Sequence, residues 1–366
     1  MIQAPPQPLS PVIQEKLRLL SFVSILIVLF NHAAPLSLVY DGILTKQPSP
    51  EADVLLTFWF SHLGRVNRPL FFFISGFLFF WTLKPGWSGW LEKWRKRVKS
   101  LLVPYLIWSL LSCVLFGLAY WLNPTRALIG QRMELVALTW LQWLGVWLWN
   151  PVAYQLWYLR DLLLLIFLSP LISFLATKLG WFLASGVMVA WFVGYLPSRP
   201  DEAGLAFFTL GAVMAKKQIV PDWNLRFWRW PSTAVWLLLC GLNTWFDLSG
   251  DALPWVNKLA NVSGIVAIWG LSDRITGPLR KKMLKAAGLS FFVYLAHEPL
   301  MLTLKKLIFK CVPYNGMNSV LTFLLLPLIV LVICLAAGVQ IRQRFPKAFS
   351  FLMGGRGSSE AAFKSR

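Results

Sequence analysis

The chain reads as an all-α membrane protein, a polytopic bundle of about ten transmembrane helices, and three observations lead there. Of its 366 residues 57% are hydrophobic and only 14% charged, with a mean hydropathy of +0.61. A soluble domain of this size could not hide so much apolar surface, whereas lipid can. The apolar residues gather in runs of about 20, the length that crosses a bilayer as a helix, without the period-two alternation of barrel strands. The basic residues cluster between the runs, where the positive-inside rule can read them.

The expected spans are roughly 17–36, 66–83, 101–122, 156–176, 180–197, 203–219, 230–248, 256–272, 288–308 and 318–340. The start, Met1-Ile2-Gln3-Ala4-Pro5-Pro6, lacks the basic lead and cleavage site of a signal peptide, so the first helix is expected to be retained. The Trp-rich stretch 134–150 reads as a re-entrant or interfacial element rather than an eleventh span. Placing the N-terminus inside puts the clusters Lys93–Lys99, Lys216-Lys217, Arg280–Lys285 and Arg342–Arg344 in the cytoplasm, with the C-terminus there too. Residues 1–340 then form one membrane domain, and 341–366 a polar cytoplasmic tail expected to be disordered.

The net charge of +20 fits cytoplasmic loops and anionic lipid contacts. Nucleic acid is not expected as a partner, because the charges are scattered between spans. Cys113, Cys240, Cys311 and Cys334 are isolated, with no metal-ligand spacing, and no metal is expected.

Four segments carry ionisable groups at or in the spans. His32, one of three histidines, ends the first apolar run. An imidazole there is costly without a partner or a wet cavity, and it exchanges protons near neutral pH. It reads either as a catalytic base or as a structural histidine bonded to a neighbouring helix, with Asn31 beside it. Arg18 is 14 residues earlier, about 21 Å along a helix, and reads as a snorkelling cation. Arg65 and Arg68 precede Pro69–Phe77, whose Ser75 and Gly76 permit close helix approach. These arginines suit headgroups or an anionic group of an acceptor, and nearby His62 reads as a loop residue. Trp157, Arg160 and Asp161 stand at the start of the fourth span, where the two adjacent charges should pair with different helices. Ser290, Tyr294, His297 and Glu298 share one helical face above Pro299. Glu298 in an apolar span is a functional candidate, or one member of a polar latch between helices.

Taken in order, the stretches Ser24–His32, Pro69–Phe77, Lys93–Trp108, Leu156–Arg160, Phe208–Ala212 and Ser290–Pro299 resemble the acyltransferase 3 family of integral membrane acyltransferases. The resemblance spans about residues 15–340. It implies ten helices and transfer of an acyl group, often acetyl, from acyl-coenzyme A to a carbohydrate hydroxyl. It maps the family's catalytic histidine onto His32. The family's Arg eleven positions earlier is replaced by Ser21, with Arg18 one turn before it. Arg97 fits a family basic motif whose second position is Ser100 here.

The resulting expectation is general-base catalysis by His32, oriented by Glu298. Arg160 or Tyr294 would stabilise the oxyanion. Arg95, Lys96, Arg97 and Lys99 would dock the phosphates of acyl-coenzyme A, acetyl-CoA foremost. Arg65, Arg68, Trp157, Tyr294 and His297 would contact the acceptor, a carbohydrate or lipid-linked glycan. No cofactor is expected to stay bound. The expected location is a bacterial inner membrane. The competing functions are export or flipping of a polysaccharide or its lipid-linked precursor, and succinyl transfer. Oligomeric state is not readable, because lipid-facing and subunit-facing surfaces look alike.

Overall fold

The computed structural model describes residues 8–40, 43–46, 49–121, 138–251 and 253–356. Among these, one two-stranded antiparallel hairpin interrupts a helical chain. Strand β1 (Ser37–Tyr40) pairs with β2 (Ile43–Lys46), Val39 opposite Leu44. The helices are α1 (Pro11–Ala33), α2 (Pro50–Thr57), α3 (Asn67–Trp81), α4 (Gly86–Arg97), α5 (Val103–Trp121), α6 (Trp140–Leu148), α7 (Trp157–Leu179), α8 (Trp181–Val193), α9 (Glu202–Lys216), α10 (Arg229–Leu248), α11 (Pro254–Leu271), α12 (Gly277–Ala287), α13 (Ser290–Cys311), α14 (Gly316–Arg344) and α15 (Pro346–Leu352).

Every segment read as a span is occupied by a helix. Among the described residues, three stretches qualify as spans by length and apolarity: Gly86–Leu118, Tyr154–Leu179 and Gly316–Arg344. Helices α12 and α13 add a fourth if taken together. The first of these is longer than expected, because a π-helical turn at Val98–Leu102 joins α4 to α5 and carries the basic cluster on the same rod. Helix α6 is nine residues long, about 14 Å at 1.5 Å per residue, too short to cross lipid. It is tied to α5: Tyr105 donates to Leu148 O at 3.0 Å, Ser109 to Trp147 O at 2.7 Å, and Trp147 Nε1 to Leu106 O at 2.9 Å. Residues 134–137 of the Trp-rich stretch lie outside the described residues.

Packing sorts the chain into two units, both discontinuous in sequence, where the apolar pattern reads as one domain. Unit 1 comprises 1–28, 58–96 and 161–288, and unit 2 comprises 29–57, 97–160 and 289–366. In unit 1 the closest helix crossing is α3 on α9, and it depends on glycine. A Cβ on Gly76 would stand 2.3 Å from the Phe208 carbonyl oxygen, and one on Gly211 would stand 2.6 Å from Phe73 O. Small residues at such crossings let backbones approach. A 2.7 Å ion pair, Lys16 to Asp273, closes the same unit, with the Lys16 ammonium over the Trp269 ring.

Two expectations are corrected. His62 is no loop residue: it is 2% exposed in a π-helical turn (Phe58–His62), and its Nδ1 accepts from Asn243 Nδ2 at 3.0 Å. The tail after Gln340 is ordered through Arg356. Helix α14 runs on to Arg344, and α15 buries Phe349 and is followed by a buried Met353. The apolar side chains Phe349 and Met353 supply that burial, which the polar average of the segment concealed. Residues 357–366 of the expected tail lie outside the described residues.

Candidate active site

The site is built in unit 2 from the last turn of α1 and the middle of α13. His32 Nδ1 lies 2.9 Å from Glu298 Oε2, with the side chains 17% and 16% exposed. The distance is that of a hydrogen bond, but the alignment falls short of one, since Oε2 has no aligned donor among the described residues. Catalytic hydrogen bonds commonly tighten only when substrate is present. A proton on Nδ1 would leave the lone pair of His32 on Nε2.

His297 packs against this pair, its ring 5.1 Å from that of His32 and edge-on. It is fully buried. Its Nδ1 lies 2.8 Å from Tyr294 O and 3.1 Å from Val293 O. Carbonyls only accept, so Nδ1 carries the proton and Nε2 is an acceptor. That Nε2 has no hydrogen-bond partner among the described residues. His32, His297 and Glu298 place one donor atom each within 4.8 Å of one another, a set that a divalent ion would take. The Lys305 ammonium acts on the same carboxylate and opposes a cation there.

Lys305, two turns beyond Glu298, donates to the His32 carbonyl oxygen at 2.9 Å. That carbonyl is one of the four a helix end leaves without an intrahelical donor, and a cation suits the negative end of the helix dipole. Tyr314 does the same for Pro35 O at 2.7 Å. The end of α1 is thus fixed by side chains from the last third of the sequence. Tyr154, exposed, brings its ring to 6.1 Å from His32.

The other predicted residues are placed as follows. Tyr294 is buried and its hydroxyl donates to Gln155 O, so that oxygen–hydrogen group is engaged in holding the turn at Tyr154–Leu156. Arg160 donates Nη1 to Trp149 O at 2.9 Å and covers the Trp149 ring at 5.6 Å. Asp161 belongs to unit 1 and accepts from Asp201 N at 2.8 Å, so the two adjacent charges do serve different elements. Trp157 stacks edge-on with Tyr158. Arg65 and Arg68 line a cleft of unit 1, about 110 Å³, with Trp191, Asp201, Asn257 and Lys258; Arg68 pairs with Asp201 at 3.2 Å. Arg95, Lys96 and Lys99 are exposed and Arg97 is half-buried. Arg18 donates to Leu284 O at 3.3 Å. The geometry therefore unites His32, Glu298 and His297. It adds Lys305 and Tyr154, which sequence reasoning missed. Lys305 was signalled by its place seven residues after Glu298, on the same helical face.

The site thus pairs an imidazole with a carboxylate within a helical membrane scaffold. Residues 15–339 match the acyltransferase domain of the acyltransferase 3 family, and the chain belongs to that family. It is an integral membrane acyltransferase. It is 24% identical over 315 residues, 83% of each chain, to the succinoglycan biosynthesis protein ExoH of Rhizobium meliloti (strain 1021). No solved structure matches it.

Proposed function

We propose that the protein transfers an acyl group from acyl-coenzyme A to a hydroxyl of a carbohydrate or lipid-linked glycan, with His32 as general base. The observation that carries this reading is the 2.9 Å contact of His32 with Glu298 in a chain of the acyltransferase family. His32 Nε2 takes the proton of the acceptor hydroxyl as its oxygen attacks the thioester carbonyl. The tetrahedral intermediate collapses to the ester and expels the coenzyme A thiolate, which recovers the proton from the imidazolium. Glu298 stabilises that imidazolium, and His297 is proposed to contact the acceptor. Arg160 is proposed to stabilise the oxyanion. Arg97 and Lys99 are proposed to meet the donor phosphates, with the exposed Arg95 and Lys96 adding long-range attraction. The cleft with Arg65 and Arg68 offers charged groups and an indole to a sugar.

A glycan acceptor is supported by the name of the relative, which belongs to polysaccharide biosynthesis. We place the ten helices across a bacterial inner membrane, both termini cytoplasmic, on the distribution of Lys and Arg. The acyl group is proposed to be acetyl, and succinyl is the competing donor. Membership of an acyltransferase family favours either over export of a polysaccharide. The test is His32→Ala in purified protein with labelled acetyl- and succinyl-coenzyme A. Loss of transfer to glycan by at least 100-fold, with unchanged elution in detergent, is the expected result. Transfer at the unsubstituted rate refutes the base assignment, and the better donor of the two names the acyl group.

A further inference from the structure

The cleft of unit 1 carries polar groups that the His32–Glu298 pair does not use. Its volume is about 110 Å³, small against the roughly 300–1,000 Å³ of sites that enclose drug-sized ligands. It therefore takes a group no larger than one sugar ring. Three helices begin at it. Arg65 and Arg68 stand at the start of α3, Asp201 and Glu202 at the start of α9, and Asn257 and Asn261 early in α11. All of these residues belong to unit 1.

Both carboxylates of the cleft are matched by cations of the same cleft. Arg68 pairs with Asp201 at 3.2 Å, and Lys258 with Glu202 at 3.5 Å. Backbone groups hold the pairs in place: Asp201 Oδ1 accepts from Gly204 N at 2.9 Å, capping α9, and Lys258 donates to Trp191 O at 2.5 Å. An anion entering the cleft meets the two carboxylates, and an ammonium meets Arg65, Arg68 and Lys258. Asn261 narrows the choice further. It is 8% exposed, and its Oδ1 has no hydrogen-bond partner among the described residues. A buried polar atom in that state costs free energy until some group supplies the bond. Asn257, one turn earlier on the same face, is by contrast anchored through Nδ2 to Ser61 O at 3.2 Å. An ionised carboxylate has no proton to give to an amide oxygen. A hydroxyl donates to that oxygen, accepts from Arg68 or Lys258, and suits either end of the amide.

We infer that this cleft binds the hydroxyl edge of one uncharged sugar of the acceptor glycan, with Asn261 as the residue that selects hydroxyl over carboxylate. The inference rests on the glycan reading above. A neutral group takes the place of the anionic one that the sequence suggests for Arg65 and Arg68. Basic residues end α9 at Lys216-Lys217 and follow α3 and α11 at Lys93 and Arg280–Lys285. In the orientation proposed above, the starts of these helices, and the cleft with them, then face away from the cytoplasm. That is the side on which a glycan of the cell envelope is met, and the side away from a cytoplasmic coenzyme A.

The experiment titrates the full chain in detergent with the methyl glycosides of glucose, galactose and mannose, with the corresponding uronosides, in which a carboxylate replaces the CH₂OH, and with glycerol, the polyol of lipid headgroups. Saturation-transfer NMR reads binding, and transfer of a labelled acyl group to glycan is measured on the same samples. The unsubstituted protein should bind a neutral hexoside in preference to its uronoside and to glycerol. Asn261→Leu should weaken that binding roughly tenfold, and Asn261→Ser, which keeps a hydroxyl, should recover part of the loss. Should the Asn261 variants fail to fold, Glu202→Gln keeps the test open: it uncovers the Lys258 charge and should shift the preference toward the uronoside. Equal hexoside binding in all the proteins overturns the site, as does a preference of the unsubstituted protein for the uronoside. Glycerol bound as tightly as the hexoside overturns it in favour of a lipid headgroup, and no sugar bound at all leaves the cleft to water. If acyl transfer to glycan persists in any of these cases, the acceptor reading stands and only the cleft falls. Hexoside binding that depends on Asn261, in a protein that acylates no glycan, overturns the acceptor reading and with it the assignment of this sugar to the acceptor.

Discussion

Replacing Glu298 with glutamine removes one charge and almost no volume, and the geometry sets the scale of the loss. In the proposed mechanism His32 starts as the neutral base. As it takes a proton it becomes an imidazolium whose Nδ1 lies 2.9 Å from the carboxylate. With both side chains about one-sixth exposed, an effective dielectric of about 20 is appropriate, and unit charges about 4 Å apart attract by about 4 kcal/mol. Lys305 acts on the same carboxylate and takes a share of its field, which lowers the usable stabilisation to roughly 2–4 kcal/mol. At 1.36 kcal/mol per decade this is a fall in kcat of roughly 30- to 1000-fold.

The attraction exists in the transition state and not before it, so kcat should fall while KM for the donor stays within about threefold. The assay is release of coenzyme A thiol, in step with ester formation on the acceptor, for the unsubstituted protein and Glu298→Gln. The amide oxygen of glutamine can still accept from Nδ1–H, which keeps the tautomer. Glu298→Leu loses orientation as well and should fall further. A kcat for Glu298→Gln within threefold of the unsubstituted value would refute the role of the carboxylate, whatever the base.

Two predictions concern the scaffold. Gly76→Val should open the α3–α9 crossing, because a Cβ there meets the Phe208 carbonyl at 2.3 Å; a cost of about 1–3 kcal/mol or more follows, read as a lowered melting midpoint in detergent, whereas Gly117→Ala, with open space around it, should leave the midpoint in place. His62 is held below the ordinary imidazole range, chiefly by burial, with Asp247 opposing. A depressed pKa stabilises the fold above the unfolded value, about 6.5, and that stability is lost as pH falls toward the folded value. The melting midpoint should therefore drop between pH 8 and 5, and His62→Gln should flatten the curve; an equal slope in both proteins would show that other groups set it.

The helices were legible because lipid imposes a simple code, and the ten apolar runs each contain one. The placement of polar groups was legible only in part. Ser290, Tyr294, His297 and Glu298 share a face by helical period alone, which needs no partner to be read. What each one meets depends on residues far away in the chain: Glu298 on His32, Lys16 on Asp273, His62 on Asn243. No local pattern encodes such pairs. The hairpin has a sequence signal of its own, the dipeptide Asp41-Gly42 between two short β-prone runs. The ordered tail had one as well, the phenylalanines at 345, 349 and 351 ahead of Gly354-Gly355. Composition averaged over 26 residues erased it. The basic cluster reads in sequence as one dock, whereas Arg97 is half-buried and Arg95, Lys96 and Lys99 are exposed.

Pro299 explains how the polar face of α13 is held in place. Proline has no N–H, so the Leu295 carbonyl one turn earlier loses its helical donor. In lipid that oxygen must be satisfied from within the protein. Gln155 does so, donating Nε2 to Leu295 O at 3.1 Å, and the Tyr294 hydroxyl returns a bond to Gln155 O. The reciprocal pair fixes the turn Tyr154–Leu156 against the helix and so brings Tyr154 to the His32 ring. A residue that breaks one backbone bond beside Glu298 thereby recruits a second segment to His32. The polar stripe of α13 is consequently held by bonds on either side of the His32–Glu298 pair, from Gln155 toward its start and from Lys305 beyond Glu298. Such bracing keeps a carboxylate and an imidazole 2.9 Å apart in a helix that lipid alone would leave straight and apolar.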